Sequence, residues 1–74
     1  MVNVQLYGVA RLQAGVSSFT SEAKTLKELR GMLPNITKKE AEDLVALVNG
    51  SGVKKSYKFK DGDTVVFLSP AGGG

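Results

Sequence analysis

The first residues alternate, with Val2, Val4 and Leu6 on one side and Asn3, Gln5 and Tyr7 on the other, so the pattern predicts a half-buried strand over 2–7. Gly8 interrupts it, and Val9 to Leu12 reads as the same strand continuing past a bulge. Ala14-Gly15 is a turn signal, after which Val16 to Ser21, rich in Ser, Thr and Phe, reads as a second strand pairing back as a hairpin. Thr25 and Glu28 stand at capping-box spacing, which starts a helix. Leu26, Leu29, Met32 and Leu33 then form an apolar stripe, leaving Lys27, Glu28 and Arg30 to water, and Pro34 marks the stop. Thr37 and Glu40 repeat the spacing ahead of Ala41 and Leu44, so a shorter helix begins near Lys38. Beyond it the pattern leaves Leu44 to Val48 open: either the helix runs on to an Asn49-Gly50 cap, or a strand rich in Val and Leu begins.

Asn49-Gly50-Ser51-Gly52 is a turn. Val53, Lys55, Tyr57 and Phe59 then alternate with Lys54, Ser56, Lys58 and Lys60, the pattern of an irregular or edge strand whose lysines are mostly solvated. Asp61-Gly62-Asp63 reads as a hairpin turn into Thr64 to Leu68, the most β-prone run in the chain. Leu29, Val65 and Phe67 are expected between helix and sheet, which leaves Val66 and Leu68 facing outward as exposed apolar groups. Pro70 ends the last strand, and Ala71 to Gly74 form a tail almost without side chains. The predicted order is two strands, a helix, a short helix and two or three further strands.

Composition narrows the function. At 74 residues the chain holds one small domain that can bury only about 60% of its unfolded surface, which leaves no core to spare for a large catalytic cleft. It has no Cys and no His, so disulfides, thiolate nucleophiles, Cys-ligated zinc and the usual general base are all excluded. Ten Lys and Arg against seven Asp and Glu give a formal charge of +3, too small an excess to indicate nucleic acid by itself. No 18-residue apolar stretch and no basic leader is present, so a cytoplasmic protein with no membrane partner is expected. Lys54, Lys55, Lys58 and Lys60 suggest a phosphate stripe with Tyr57 and Phe59 as stacking platforms, but alternation sets the aromatics opposite three of the four lysines. Asp61 and Asp63 flank a turn glycine and lack further ligands, so no metal site is expected. Gly50 to Lys54 lacks the spacing of a phosphate loop.

Leu6-Tyr7-Gly8-Val9-Ala10-Arg11-Leu12, Val48-Asn49-Gly50, and Asp61 through Ser69-Pro70 to a terminal Gly73-Gly74 together resemble the small subunit of molybdopterin synthase, a family of ubiquitin-like sulfur carriers. The resemblance runs the length of the chain. It implies an α+β fold of the β-grasp (ubiquitin-like) type, a mixed sheet of four to five strands packed on one main helix plus a short helix. The implied domain spans residues 1–70, with a flexible Gly-rich tail over 71–74, and Val45 to Val48 becomes a strand. The family usually has two prolines and a small apolar residue before its glycines, whereas here Ser69 replaces one proline and Ala71 precedes three glycines.

The resemblance further implies that the terminal carboxylate of Gly74 is adenylated and converted to a thiocarboxylate, whose sulfur serves molybdopterin (molybdenum cofactor) synthesis. The implied partners are a ubiquitin-activating-type adenylyltransferase that consumes ATP, a sulfur donor system and the synthase large subunit. No cofactor is expected on the chain, which is not expected to be a catalyst alone. Gly73 and Gly72 suit such a tail independently, because glycine lets a backbone thread a narrow channel that a side chain would block. Pro70, Leu68 and Val66 are the expected docking residues that aim it. A ubiquitin-like modifier joined through Gly74 to target lysines remains open, as does a carrier for thiamine synthesis or tRNA thiolation. A small basic nucleic-acid-binding module is the more distant alternative.

Overall fold

The computed structural model describes residues 1–69, which run β1 (Val2–Leu6), α1 (Gly8–Ala14), β2 (Ser18–Ser21), α2 (Leu26–Arg30), α3 (Lys38–Asp43), β3 (Val45–Val48), β4 (Ser51–Gly52) and β5 (Thr64–Leu68). The strands make one mixed sheet in the order β2-β1-β5-β3-β4. β1 pairs antiparallel with β2 and parallel with β5, and β3 pairs antiparallel with both β5 and β4. The last strand in the sequence is therefore the middle strand in space. Val65 and Phe67 point to the helix side and are fully buried with Leu6, Leu26 and Leu29. This is the β-grasp arrangement, with three helices instead of the two that the sequence predicts.

The additional helix is α1, which occupies the stretch expected to prolong the first strand. Gly8 turns the chain at φ 61, a conformation costly for any residue with a Cβ. Ala10 and Ala14 then stand one helical repeat apart and are both buried, while Val9 and Leu12, whose apolar character suggested a strand, stay exposed. The expected pairing of the first two strands survives, with Val4 opposite Phe19, but a helix and not a tight hairpin joins them.

Thr25 caps α2 by accepting from the backbone N–H of Glu28, at 3.2 Å, while the Glu28 carboxylate reaches past Thr25 to the N–H of Lys24. Hydrogen bonds of the tighter i to i−3 kind, from Gly31 and Met32, close this helix at Arg30, well short of Pro34. Met32 swings out as a consequence and is 54% exposed, so the buried stripe is Leu26, Leu29 and Leu33. Thr37 and Glu40 form the full reciprocal box on α3. Leu44 leaves that helix in extended conformation, which delivers Val45 to Val48 as the strand that the family resemblance implied.

Residues 53–60 are not a strand. Backbone bonds from Leu26 to Tyr57, Lys27 to Lys55 and Phe59 to Lys24 strap this segment along the start of α2, and only Lys58 bridges to Thr25. Tyr57 and Phe59 meet edge to face at 5.8 Å and pack half-buried on the core, so neither is free to act as a stacking platform. The expected hairpin at 61–63 is thus a turn from a strap into the central strand.

Asp63 was expected to be ordinary turn chemistry and is instead a buried hub. Its carboxylate accepts from the Lys60 N–H at 2.9 Å, the Asn49 side-chain amide at 3.0 Å and the Tyr57 hydroxyl at 3.1 Å. Asn49, itself at φ 51 beside Gly50 at φ 86, also accepts from the Thr64 N–H, so one cluster ties the β3–β4 turn to the start of β5. The Lys60 amide and then the Asn49 amide hold the Asp63 carboxyl below the usual carboxylate range.

Two expectations follow for stability. Phe67→Ala should cost about 3 to 5 kcal/mol in urea denaturation, close to the whole stability of so small a domain; a variant that unfolds like the parent would contradict the burial of that ring. Because folding depresses the pKa of Asp63, its contribution is complete above the unfolded aspartate value of about 3.9 and is lost as pH falls through the lower folded value. Asp63→Asn should therefore melt below the parent at neutral pH, with the gap closing in acid. A gap that stays constant down to about pH 2 would show that the carboxylate charge is irrelevant.

Candidate functional site

Where β5 ends, three elements come together. Tyr7 donates its backbone N–H to the Phe67 carbonyl at 3.0 Å, so β1 and β5 finish side by side, and Leu68 pairs with Val45 at the start of β3. Strand alternation sets Gln5, Leu47, Val66, Val45 and Leu68 on the face away from the helices, with Gln5 and Leu47 both opposite Val66. The Tyr7 hydroxyl donates to Gln5 Oε1 at 3.0 Å, which places that ring on the same open face. Tyr7, Val45, Leu47, Val66 and Leu68 thus form an apolar patch at one end of the open sheet. Its other end is polar, with Asn3, Thr20 and Thr64.

Val66 and Leu68 face outward as the alternation predicts, but both are half-buried and not exposed. The reason is their central strand, whose neighbours on both sides screen them from water. The exposed members of the patch are Tyr7 at 52% and Val45 at 39%. Pro70, Gly72, Gly73 and Gly74 lie outside the described residues, as does the boundary of the tail. Tyr7, Val45 and Leu47 were missed by sequence reasoning. Alternation already sets Tyr7 on the Gln5 side, but only the pairing of β1 and β3 with β5 brings Tyr7, Val45 and Leu47 next to Val66 and Leu68.

Arg30 is the second correction to the predicted surface, because it does not simply face water. Its Nη1 donates to the carbonyls of Ala41 and Leu44, the latter at 2.9 Å, and its guanidinium lies 5.6 Å from the centre of the Phe67 ring. Burial lowers its pKa from the ordinary arginine value, with Glu42 acting in the opposite sense. It thereby adds a second donor to the Ala41 carbonyl, which already accepts from the Leu44 N–H, and caps the Leu44 carbonyl just past α3, next to the start of β3.

The patch offers contact area and no group poised for proton transfer, since its phenol is already committed to Gln5. Among the described residues no cluster of His, Cys, Asp or Glu is placed to hold a metal, and no helix is long and apolar enough to cross a membrane. What the arrangement offers chemically is apolar contact area beside the end of β5.

A family model described as the ThiS family matches residues 4–74. No curated protein matches the chain in sequence. Among solved structures, it is similar to a putative molybdopterin converting factor subunit 1 from Pyrococcus furiosus, with 25% identity over 95% of this chain and 97% of that one and a TM-score of 0.73. It is also similar to a chain in the protein–protein complex of subunits 1 and 2 of the molybdopterin-converting factor from Helicobacter pylori, at 26% identity, coverage of 99% and 97%, and a TM-score of 0.70. Urm1 from Trypanosoma brucei matches at 25% identity, coverage of 99% and 94%, and a TM-score of 0.69.

If the patch is a binding surface and not part of the core, charging it should do little to folding. Leu68→Lys is expected to shift urea stability by at most about 1 kcal/mol, against the much larger loss for its buried neighbour Phe67. A loss equal to that of Phe67→Ala would place Leu68 in the core.

Proposed function

We propose a function from one premise: the chain belongs to the ThiS family, among the ubiquitin-like sulfur carriers that its motifs resemble. On this reading the reacting group is the terminal carboxylate of Gly74, and the folded part presents it to partners. The observation that carries the proposal is the central position of β5, which brings the chain out at the sheet end beside the apolar patch. The family match, which runs through to Gly74, supports the same assignment.

A carboxylate does not accept a sulfur nucleophile directly, because an oxide is a poor leaving group. A ubiquitin-activating-type adenylyltransferase solves this by spending ATP: an oxygen of Gly74 attacks the α-phosphorus, pyrophosphate leaves, and an acyl adenylate results. A sulfide-level nucleophile supplied by a donor system then attacks the acyl carbon, AMP leaves, and loss of a proton gives the thiocarboxylate. The chain's own contribution is geometric. Gly72 and Gly73 let the backbone enter a narrow channel, Pro70 limits the directions in which the tail can leave, and Val66 and Leu68 with their neighbours supply the docking surface.

For the pathway we favour molybdopterin synthesis, with a molybdopterin synthase large subunit receiving the sulfur. Two of the similar structures support this, one described as a converting factor subunit 1 and the other as subunits 1 and 2 in complex. The intact mass of protein isolated from its native cell is the direct test. Replacement of one oxygen by sulfur is expected; an isopeptide-linked ladder would replace the carrier by a modifier.

Deleting Gly74 should abolish loading while leaving the urea transition unchanged, since the reacting carboxylate moves out of register. A truncated chain that still accepts and donates sulfur at the normal rate would overturn the role of the tail. Leu68→Lys should weaken association with the activating enzyme in calorimetry, and an unchanged affinity would remove Leu68 from the docking surface.

A further inference from the structure

The chain's excess positive charge is concentrated at one place. Lys27, Arg30 and Gly31 at α2, Lys38 and Glu42 on α3, and Lys55 from the 53–60 strap line a half-open cleft of about 390 Å³. Four cations and one carboxylate give the cleft a formal +3, which is the formal charge of the entire chain; the six remaining Lys and Arg are matched by the six remaining Asp and Glu.

The walls of this cleft are tied to one another. The backbone N–H of Lys27 donates to the Lys55 carbonyl at 3.0 Å, joining the strap to α2, and Arg30 joins α2 to the end of α3 through Ala41 and Leu44. Arg30 is already held in place by those carbonyls and the Phe67 ring, so it loses little conformational freedom when an anion arrives. Among the described residues the one salt bridge joins the Met1 amino group to Asp61, and none involves Lys27, Arg30, Lys38 or Lys55. The cleft is also well placed. Leu44, whose carbonyl Arg30 holds, precedes Val45, and Val45 pairs with Leu68 at the end of β5. Cationic cleft and apolar patch therefore flank the same sheet end from its two faces.

We infer that the cleft receives an acidic segment, a loop carrying successive Asp or Glu, of the protein that accepts the tail; this rests on the carrier function proposed above. Charge complementarity selects the occupant, and the shared position with the patch makes it the same partner. A nucleic-acid strand fits less well, because the cations ring a cleft without forming a long track and the nearby aromatics Tyr57 and Phe59 are packed on the core.

The test is an amide NMR titration of the full chain with deca-glutamate at low salt. Saturable shifts are expected at Lys27, Gly31, Lys38 and Lys55. The double variant Lys27→Glu with Lys55→Glu, both exposed, should weaken binding roughly tenfold or more, and the same reversal at Lys24 and Lys60, outside the cleft, should weaken it far less. Shifts that never saturate, or equal weakening by both pairs, would overturn the site. Tighter binding of inorganic pyrophosphate or of a single-stranded oligonucleotide at the same amides would overturn the acidic segment as occupant. No adenylation is involved, so a negative titration would leave the chemistry of Gly74 untouched, and failed loading of Gly74 would leave the cleft standing.

Discussion

Without β5 between them, β1 and β3 would have no common partner, and the sheet would fall into two ribbons, β2–β1 and β4–β3. An isolated two-stranded ribbon is marginal in water. The insertion of this strand therefore makes a single sheet, and it also brings Val65 and Phe67 under the helices as the centre of the core. Because β5 comes last and pairs in parallel with the first strand, the sheet closes only when the two ends of the chain meet. Such long-range pairing is entropically costly and forms slowly, which makes β5 the strand whose loss would unravel the others.

Two polar groups secure that strand, one near each end. At its start the Asp63 carboxylate gathers Lys60, Asn49 and Tyr57, fixing both the strap and the β3–β4 turn. Towards its end the Arg30 guanidinium lies over Phe67 and binds the carbonyls of Ala41 and Leu44. Both are charged groups with hydrogen-bond partners, which is the condition under which a charge can sit in or beside a small core. They also make the helices and the sheet one unit at the points where the chain turns.

The same closure shapes the surface. β5, the central strand, terminates at one end of the sheet between an apolar face and a helical face. Tyr7 and Val45 are exposed there, while Val66 and Leu68 are screened by their neighbours. The apolar area exposed there therefore comes chiefly from Tyr7 and β3 and not from β5 alone. On the helix side lie the cations of α2, α3 and the strap, so the two faces at this end of the sheet differ in chemistry.

The sequence alone determined whatever depends on local periodicity and backbone chemistry. Alternation located β1 and β5 with their buried faces, and capping-box spacing marked the starts of α2 and α3. Family resemblance, and not periodicity, chose strand for Val45 to Val48. Tertiary structure decided the remainder, because the deciding contacts come from far along the chain. Val9 to Leu12 is helix since Ala10 and Ala14 fit the core at helical spacing, and residues 53–60 become a strap since α2 supplies their hydrogen bonds. Arg30 leaves water for carbonyls eleven and fourteen residues away, and Asp63 is buried by Asn49 fourteen residues before it. The apolar patch and the cationic cleft belong to this second class, since the patch is assembled around β5 and the cleft from α2, α3 and the strap, elements distant in sequence.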